Sequence, residues 1–344
     1  MKLKTTAIAL AVAGIVAAPM AAQAEGSIYA SARVGLGMTS TDDADTFTAT
    51  SPTTFTTTST DGLDQSEIHS WASRFGAKGE TDLGNGMSAF GKYEWDVDMD
   101  GSDGIKKRHR YVGVKGDFGS VTVGQTYHTF FNHVVGPLDN PWWGSGYTMV
   151  AYVGRTDNAI TYAGSSGAID FGATAYMVSD TEEEDIDEIE LGASFPLGDT
   201  TIGVAMKAFQ GDDDSTTPFF DEEEEIIGVT WSGIGLGDTT LGVGFQARDE
   251  DTSVVIDWLI GNAYVHFESL SADEADADPT SVTLGYTQNL GRNTDIWYEI
   301  QAVDNDGNGE FTDVDESGDI SAGDTFEESA DTTYIRAVLR YNIL

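Results

Sequence analysis

From residue 25 onward the chain is made of short runs in which apolar residues alternate with small or polar ones, and no apolar stripe recurs at helical spacing. In Thr283-Leu284-Gly285-Tyr286-Thr287-Gln288-Asn289-Leu290, for example, Leu284 and Tyr286 fall on one face and Thr and Gly on the other. Ala263 to Phe267 and Thr294 to Glu299 each offer one aromatic or aliphatic face in the same way. This period predicts an all-β protein.

The breaks between runs sort into two kinds. Short ones fall at Thr81 to Gly86, Asp117 to Gly119, Gly164 to Gly167, Pro196 to Asp199, Gly233 to Asp238, Ile260 to Asn262 and Gly291 to Asn293. Between them lie longer acidic or Thr-rich breaks at 39 to 66, 97 to 106, 127 to 156, 179 to 187, 210 to 222, 249 to 252, 271 to 279 and 304 to 330. Seven short turns and eight long loops imply sixteen strands, the asymmetry of a transmembrane antiparallel β-barrel with both termini on the periplasmic side. The weakest stretch is Val254 to Leu270, which leaves one strand at about seven residues, short of the roughly 9 to 11 needed to span a bilayer. Fourteen and eighteen are therefore the competing counts.

Composition changes this picture little. Hydrophobic residues make up 40% of the chain, as in a soluble protein, but strands that turn every second residue to a lumen hide an apolar exterior in an average composition. With no Cys, an exported chain must be held by its hydrogen-bond ladder, which a closed barrel supplies. Export is expected from the first residues: Lys2 and Lys4 precede an apolar run from Ile8 to Ala18, and Ala22-Gln23-Ala24 has the form of a cleavage site. Residues 1–24 are thus expected to be a signal peptide and residues 25–344 one barrel domain without a linker. The net charge of −41 excludes nucleic acid as a partner and disfavours anionic lipid heads. The acids are concentrated in clusters, at Glu182 to Asp185, Asp212 to Asp214, Asp221 to Glu225, Asp273 to Asp278 and Asp304 to Asp324. They form either a solvated, halophile-like surface or a cation-gathering vestibule.

Arg74-Phe75-Gly76-Ala77-Lys78-Gly79-Glu80, Asp82-Leu83-Gly84-Asn85-Gly86, Tyr93-Glu94-Trp95 and Tyr111 to Gly119 together resemble the Gram-negative general (trimeric) porin family, and Gly154 to Tyr162 resembles its strand after the third loop. Beyond Met177 the resemblance is one of pattern. At the end of the chain Leu339, Tyr341 and Ile343 share a face, with Ile343 where the family has an aromatic residue and Leu344 as an extra. The resemblance implies a sixteen-stranded outer-membrane barrel, a homotrimer among lipid and lipopolysaccharide, and passage of small polar solutes and ions. It also implies a third loop, here Tyr127 to Gly154, folded into the lumen opposite a basic wall. The positions matching that wall are Arg74, Arg108 and Arg155, with Arg33 added by strand parity. Cations facing carboxylates would set a transverse field across the narrow point. Asp139 is the candidate acid, since Asp139 and Asp157 are the only carboxylates between Asp117 and Asp170.

The residues leave two further readings open. Trp142, Trp143, Tyr147 and Tyr152 in the third loop could stack sugars and make the channel solute-specific. The acidic stretch near the C-terminus carries calcium-loop patterns. Asp304, Asp306 and Asn308 open one register that ends at Asp315. A second places Asp313, Asp315, Ser317 and Asp319 at positions 1, 3, 5 and 7 and Asp324 at position 12. No cofactor is required; the pattern leaves two readings open, a merely acidic outer loop or structural Ca2+ in that loop, and a calcium-binding surface protein without a pore is the alternative function. Enzymatic motifs are not found. Gly86 to Lys92 has phosphate-loop spacing, but Tyr93 replaces the needed Ser or Thr, and the five His are dispersed.

Overall fold

The computed structural model describes residues 25–51, 54–98, 104–142, 150, 154–177, 186, 188–209, 225–272, 278–305, 310–312, 325–327 and 330–343. The expected signal peptide lies outside them. Sixteen antiparallel strands form the barrel. They are β1 (Glu25–Thr41), β2 (Leu63–Ser70 with Arg74–Gly84), β3 (Met87–Val97), β4 (Ile105–Gly116), β5 (Gly119–Tyr127), β6 (Arg155–Thr156 with Ala159–Ser166), β7 (Ile169–Tyr176) and β8 (Glu188–Leu197). The second half comprises β9 (Thr200–Phe209), β10 (Glu225–Leu236), β11 (Thr239–Arg248), β12 (Asp251–Ile260), β13 (Ala263–Ser271), β14 (Thr280–Gly291), β15 (Thr294–Asp304) and β16 (Thr332–Asn342). Each strand pairs with its sequence neighbours. The sheet closes where β1 meets β16, from Ser31 opposite Asn342 to Thr41 opposite Thr332. Closure leaves no free sheet edge among the described strands, as a bilayer requires.

All seven short connections are two-residue turns at the end that carries both termini. Asn85 and Gly86, at φ 54° and 75°, show why the breaks are rich in Asn and Gly: both turn residues sit at positive φ, which matches the twist of the strands. Two expectations need correction. The break at 249 to 252 is only the pair Asp249 and Glu250, and the strands flanking Gly261 have ten and nine residues instead of one having seven. Arg248 and Asp251, 2.7 Å apart, close that turn by an ion pair, so its acids lie inside a hairpin.

The alternation is inverted relative to a soluble protein. In β14, Val282, Leu284 and Tyr286 are 40%, 49% and 47% exposed on the outer wall, whereas Ser281 and Thr283 face inward and are buried. Leu339, Tyr341 and Ile343 share the outer face as the pattern predicts. At the end away from the termini, Ala44–Ser51 and Thr54–Thr60 form a hairpin, and Thr46 to Thr48 pair with Thr325–Glu327 of the last loop. The loops that flank the β1–β16 seam are therefore joined outside the barrel.

Candidate functional site

Inward residues of β7 to β12 are covered by the third loop, which packs on that side of the lumen. It leaves β5 at Tyr127, makes a π-helical turn over Phe131–Val135 and a 3-10 turn over Gly136–Leu138, and lays Phe130, Val134, Val135 and Leu138 against Ala205, Ile226 and Val255 of the wall. The wall accepts it through a track of inward glycines. A Cβ on Gly228 would fall 2.6 Å from Val134 Cγ1 and 2.9 Å from Phe130 Cζ, and one on Gly192 2.8 Å from His133 Cδ2. Side chains at Gly203 and Gly242 would strike the His133 carbonyl and Leu138.

Polar wall groups fasten the loop. Glu190, fully buried on β8, accepts the Phe130 N–H at 2.8 Å and the Tyr176 hydroxyl at 2.7 Å. Asp257 on β12 accepts from Asn140 Nδ2 at 2.6 Å, Glu299 on β15 accepts the Trp142 N–H at 2.6 Å and Ser253 accepts the Val150 N–H at 3.3 Å. Behind Asp257, His266 lies 3.0 Å from it and 2.9 Å from Glu268, and Tyr264 donates to Glu299. The loop itself is poor in acid, and the carboxylates on that side sit in the wall beneath it. Trp142 reaches across the lumen to stack on Trp297 of β15, ring centroids 3.4 Å apart.

The remaining passage runs along β1 to β6. Glu94 on β3, 2% exposed, is its hub. It accepts Tyr29 Oη at 2.7 Å and Arg108 Nε at 3.0 Å, with Lys92 Nζ at 3.1 Å and Arg74 Nη1 at 3.8 Å. Arg108 also reaches Asp96 at 3.4 Å. The register slips by one residue between Glu94 and Trp95, where Glu94 pairs with His109 and Trp95 with Lys107. This bulge turns both Arg108 and His109 toward Glu94.

Of the residues expected at the narrow point, Arg74 and Arg108 come together on Glu94. Arg155 is near them but bound to Tyr127, its Nη1 donating to the Tyr127 hydroxyl at 2.6 Å. Arg33 is 5% exposed, with its guanidinium 4.9 Å from the Trp142 ring centroid, so the loop tip covers it. Asp139 ends the 3-10 turn beside Asn140. Of the loop aromatics, Trp142 is described and Trp143, Tyr147 and Tyr152 lie outside the described residues. Asp304 ends β15, and Asp306, Asn308, Asp313, Asp315, Ser317, Asp319 and Asp324 also lie outside them. Sequence reasoning missed Glu94, Glu190, Asp257 and Glu299 as site residues. The available signal was parity: each is a carboxylate on a strand, in phase with inward neighbours.

A family model described as Gram-negative porin matches residues 6–308. The major outer membrane protein P.IB of Neisseria meningitidis serogroup B, in strains H44/76 and MC58, is 32% identical over 124 residues, which is 36% of this chain and 34% of that protein, so the alignment spans about a third of the length of these relatives. Among solved structures, the anion-selective porin from Comamonas acidovorans aligns with a TM-score of 0.65 at 14% identity, over 93% of this chain and 100% of that one. Salmonella typhi OmpF, in complex with daunomycin, gives 0.60 at 13% identity over 92% and 97%, and the trimer form of Vibrio cholerae OmpT 0.58 at 16% over 93% and 99%. With a closed sixteen-stranded barrel, an inward third loop and a family match over most of its length, the chain belongs to the Gram-negative porin family of the bacterial outer membrane.

Proposed function

We propose that the protein is a passive channel for small hydrophilic solutes and ions, assembled as a homotrimer and preferring cations. The observation that carries the reading is the third loop. It is pinned to β7–β12 and bridged to β15, and it leaves open a passage lined by Arg74, Lys92 and Arg108, 21%, 22% and 12% exposed. Glu94 and Asp96 offset much of that positive charge, so the net charge of −41, concentrated in the outer loops, sets the preference for cations.

The outer wall supports the trimer. Arg110 shares its face with Tyr93 and Val112, outside the barrel, and pairs with Asp157 at 3.0 Å and Gln125 at 3.0 Å. An arginine facing lipid near mid-height costs about 2–4 kcal/mol, which contact with another copy would relieve. Beside it the outer face carries Ala30, Ala32, Ala77, Gly79, Ala89 and Gly91 interleaved with the exposed Ile28, Phe75 and Tyr93, an apolar surface suited to subunit packing.

One recording tests all three parts. In planar bilayers under a salt gradient we expect conductance that appears and closes in groups of three steps, with a reversal potential of cation sign. No conductance overturns the channel, single steps the trimer, and a chloride-favouring potential the selectivity. Trp142 has one face covered by Trp297, which weighs against an open sugar slide.

The same reading places Ca2+ in the last outer loop. Thr312 pairs with Thr325, so a β-pair brackets the twelve residues 313–324 that carry the second calcium register. Calorimetric titration of the purified protein is expected to show binding with a Kd on the order of 10⁻⁴ to 10⁻³ M, the range of extracellular sites. The absence of heat at millimolar Ca2+ removes the site.

A further inference from the structure

The wall of β2 carries one extra residue at the height of the narrow point. Val34 of β1 pairs with Ser70 and Ser31 pairs with Arg74, so Ala32 and Arg33 face three residues of β2, Trp71, Ala72 and Ser73. The register above and below the break is that of one regular ladder with Ala72 inserted: without it, Arg33 would oppose Trp71 and Ala32 would oppose Ser73. Closure of the barrel therefore does not need this bulge. Ala72 also stands at φ 51°, where a residue with a Cβ is disfavoured. A strained extra residue in a wall that would be continuous without it points to a role at the lumen.

Ser73, which is buried, closes the gap. Its hydroxyl accepts the Arg33 N–H at 2.8 Å and donates to the Arg33 carbonyl at 3.0 Å, and that carbonyl also receives the Trp71 N–H at 3.0 Å. One side chain thus stands in for a missing rung, in a wall where lipid offers the backbone no partner. On the β3 side the ladder resumes at once, with the Val97 N–H donating to the Ser73 carbonyl at 2.7 Å. The Ala72 carbonyl, at a residue outside both ladders, accepts Arg74 Nε at 3.2 Å. That bond fixes the guanidinium: Nη1 stops 3.8 Å from Glu94 Oε1, beyond hydrogen-bond reach, and the side chain stays 21% exposed. Arg108, turned inward by the bulge on the far side of β3, takes the hydrogen bond to Glu94 instead, at 3.0 Å, and is 12% exposed.

We propose that Ala72 and Ser73 are positioning residues for ion selectivity: the bulge they form holds the Arg74 guanidinium off Glu94 and open to the lumen, where its charge acts on permeating ions. The proposal rests on the channel reading. A cation hydrogen-bonded to a carboxylate presents a nearly neutral pair to a passing ion, whereas one held apart from it keeps more of its field. Released from Ala72, Arg74 closes on Glu94 as Arg108 does, and its charge is withdrawn from the path. The two bulges that flank β3 therefore have different effects: one supplies the arginine that neutralises Glu94, and the other keeps an arginine available.

Arg74→Gln tests this when its effect on the reversal potential is measured in planar bilayers in two backgrounds, the wild type and a chain lacking Ala72. In the wild type the substitution is expected to move the potential toward cations, by a several-fold change in permeability ratio. Loss of Ala72 alone should move it the same way. Adding Arg74→Gln to that loss should then change the potential by roughly half the wild-type effect or less, because the two changes remove one interaction. Ser73→Ala, which keeps the extra residue and removes its fastening, should diminish the effect of Arg74→Gln in the same way. It carries the test if the chain lacking Ala72 gives no heat-resistant barrel. Restoring the extra residue as glycine, in Ala72→Gly, suits the positive φ and should bring back the wild-type potential together with a higher unfolding temperature. An effect of Arg74→Gln that is undiminished in folded chains lacking Ala72 or carrying Ser73→Ala overturns the proposal, whatever their stability. So does a potential shifted by Ala72→Gly as far as by the deletion. Only differences in potential are compared, so the outcome is independent of which ion the wild type prefers. Missing conductance in the wild type counts against the channel reading alone.

Discussion

Gly228→Val is expected to unseat the third loop while leaving the barrel folded. Position 228 is on β10, between Ala205 of β9 and Gln246 of β11, and its inward side touches Val134 and Phe130 of the loop. Valine improves strand propensity by at most about 1 kcal/mol. Against this, overpacking a filled contact costs about 1–3 kcal/mol, and the loop gives way before the wall because the wall is held by two ladders of backbone bonds. The loop's own hold on the wall is the burial of Phe130, Val134, Val135 and Leu138, each worth about 1.5–3 kcal/mol when fully packed, and a displaced backbone forfeits several of these together. Heat-dependent mobility in detergent gels should therefore match the wild type. Conductance at pH 7.5 should be lower and interrupted by frequent closures, because the displaced loop lies in the lumen. Gly228→Ala, one methyl instead of three carbons, should give a weaker version. Wild-type conductance in Gly228→Val would mean that the loop is not seated on this track.

The barrel was largely legible in the sequence, because the features that define it are local. Two-residue turns carry Asn and Gly where φ must be positive, and parity alone places Leu284, Tyr286, Leu339 and Tyr341 outside. The turn at Asp249-Glu250 was misread because acidic residues mark both solvated loops and tight hairpins, and the Arg248–Asp251 pair that distinguishes them is a matter of geometry. The seat of the third loop was illegible for a different reason. Gly203, Gly228 and Gly242 read as weak points in strands until a loop from about 70 to 100 residues earlier is laid on them. Arg33 shows the same limit. Parity correctly turns it inward, but Trp142, which covers it, arrives from far along the chain. Parity could also have exposed Glu94 and Glu190, since a carboxylate in phase with lumen-facing residues must find donors, and both do.

Glu94→Gln is expected to shift the channel toward anions, and the reason is the charge balance around one side chain. Arg74, Lys92 and Arg108 all lie within 3.8 Å of Glu94, and the other acid in reach is Asp96, 3.4 Å from Arg108. Glutamine keeps the shape and can still receive the Tyr29 hydroxyl, so the change isolates the charge. Three cations are then faced by one carboxylate instead of two. A unit charge about 5 Å from a passing ion in a medium close to water is worth about 1 kcal/mol, a several-fold change in the ratio of cation to anion permeability. The reversal potential should move toward the chloride side, most at low salt, where screening is weakest. Arg108→Gln should move it the other way. Stability should fall as well. Removing one partner of a buried ion pair costs about 3–5 kcal/mol, and here the cost belongs at the low end because Arg74 and Lys92 keep contact with lumen water. The two effects separate the roles of this residue. A lower unfolding temperature with an unchanged reversal potential would make Glu94 a staple of β1, β3 and β4 alone. A shift in potential places it in the path of the permeating ions, and the narrow point then owes its moderate charge to a carboxylate in the basic wall itself.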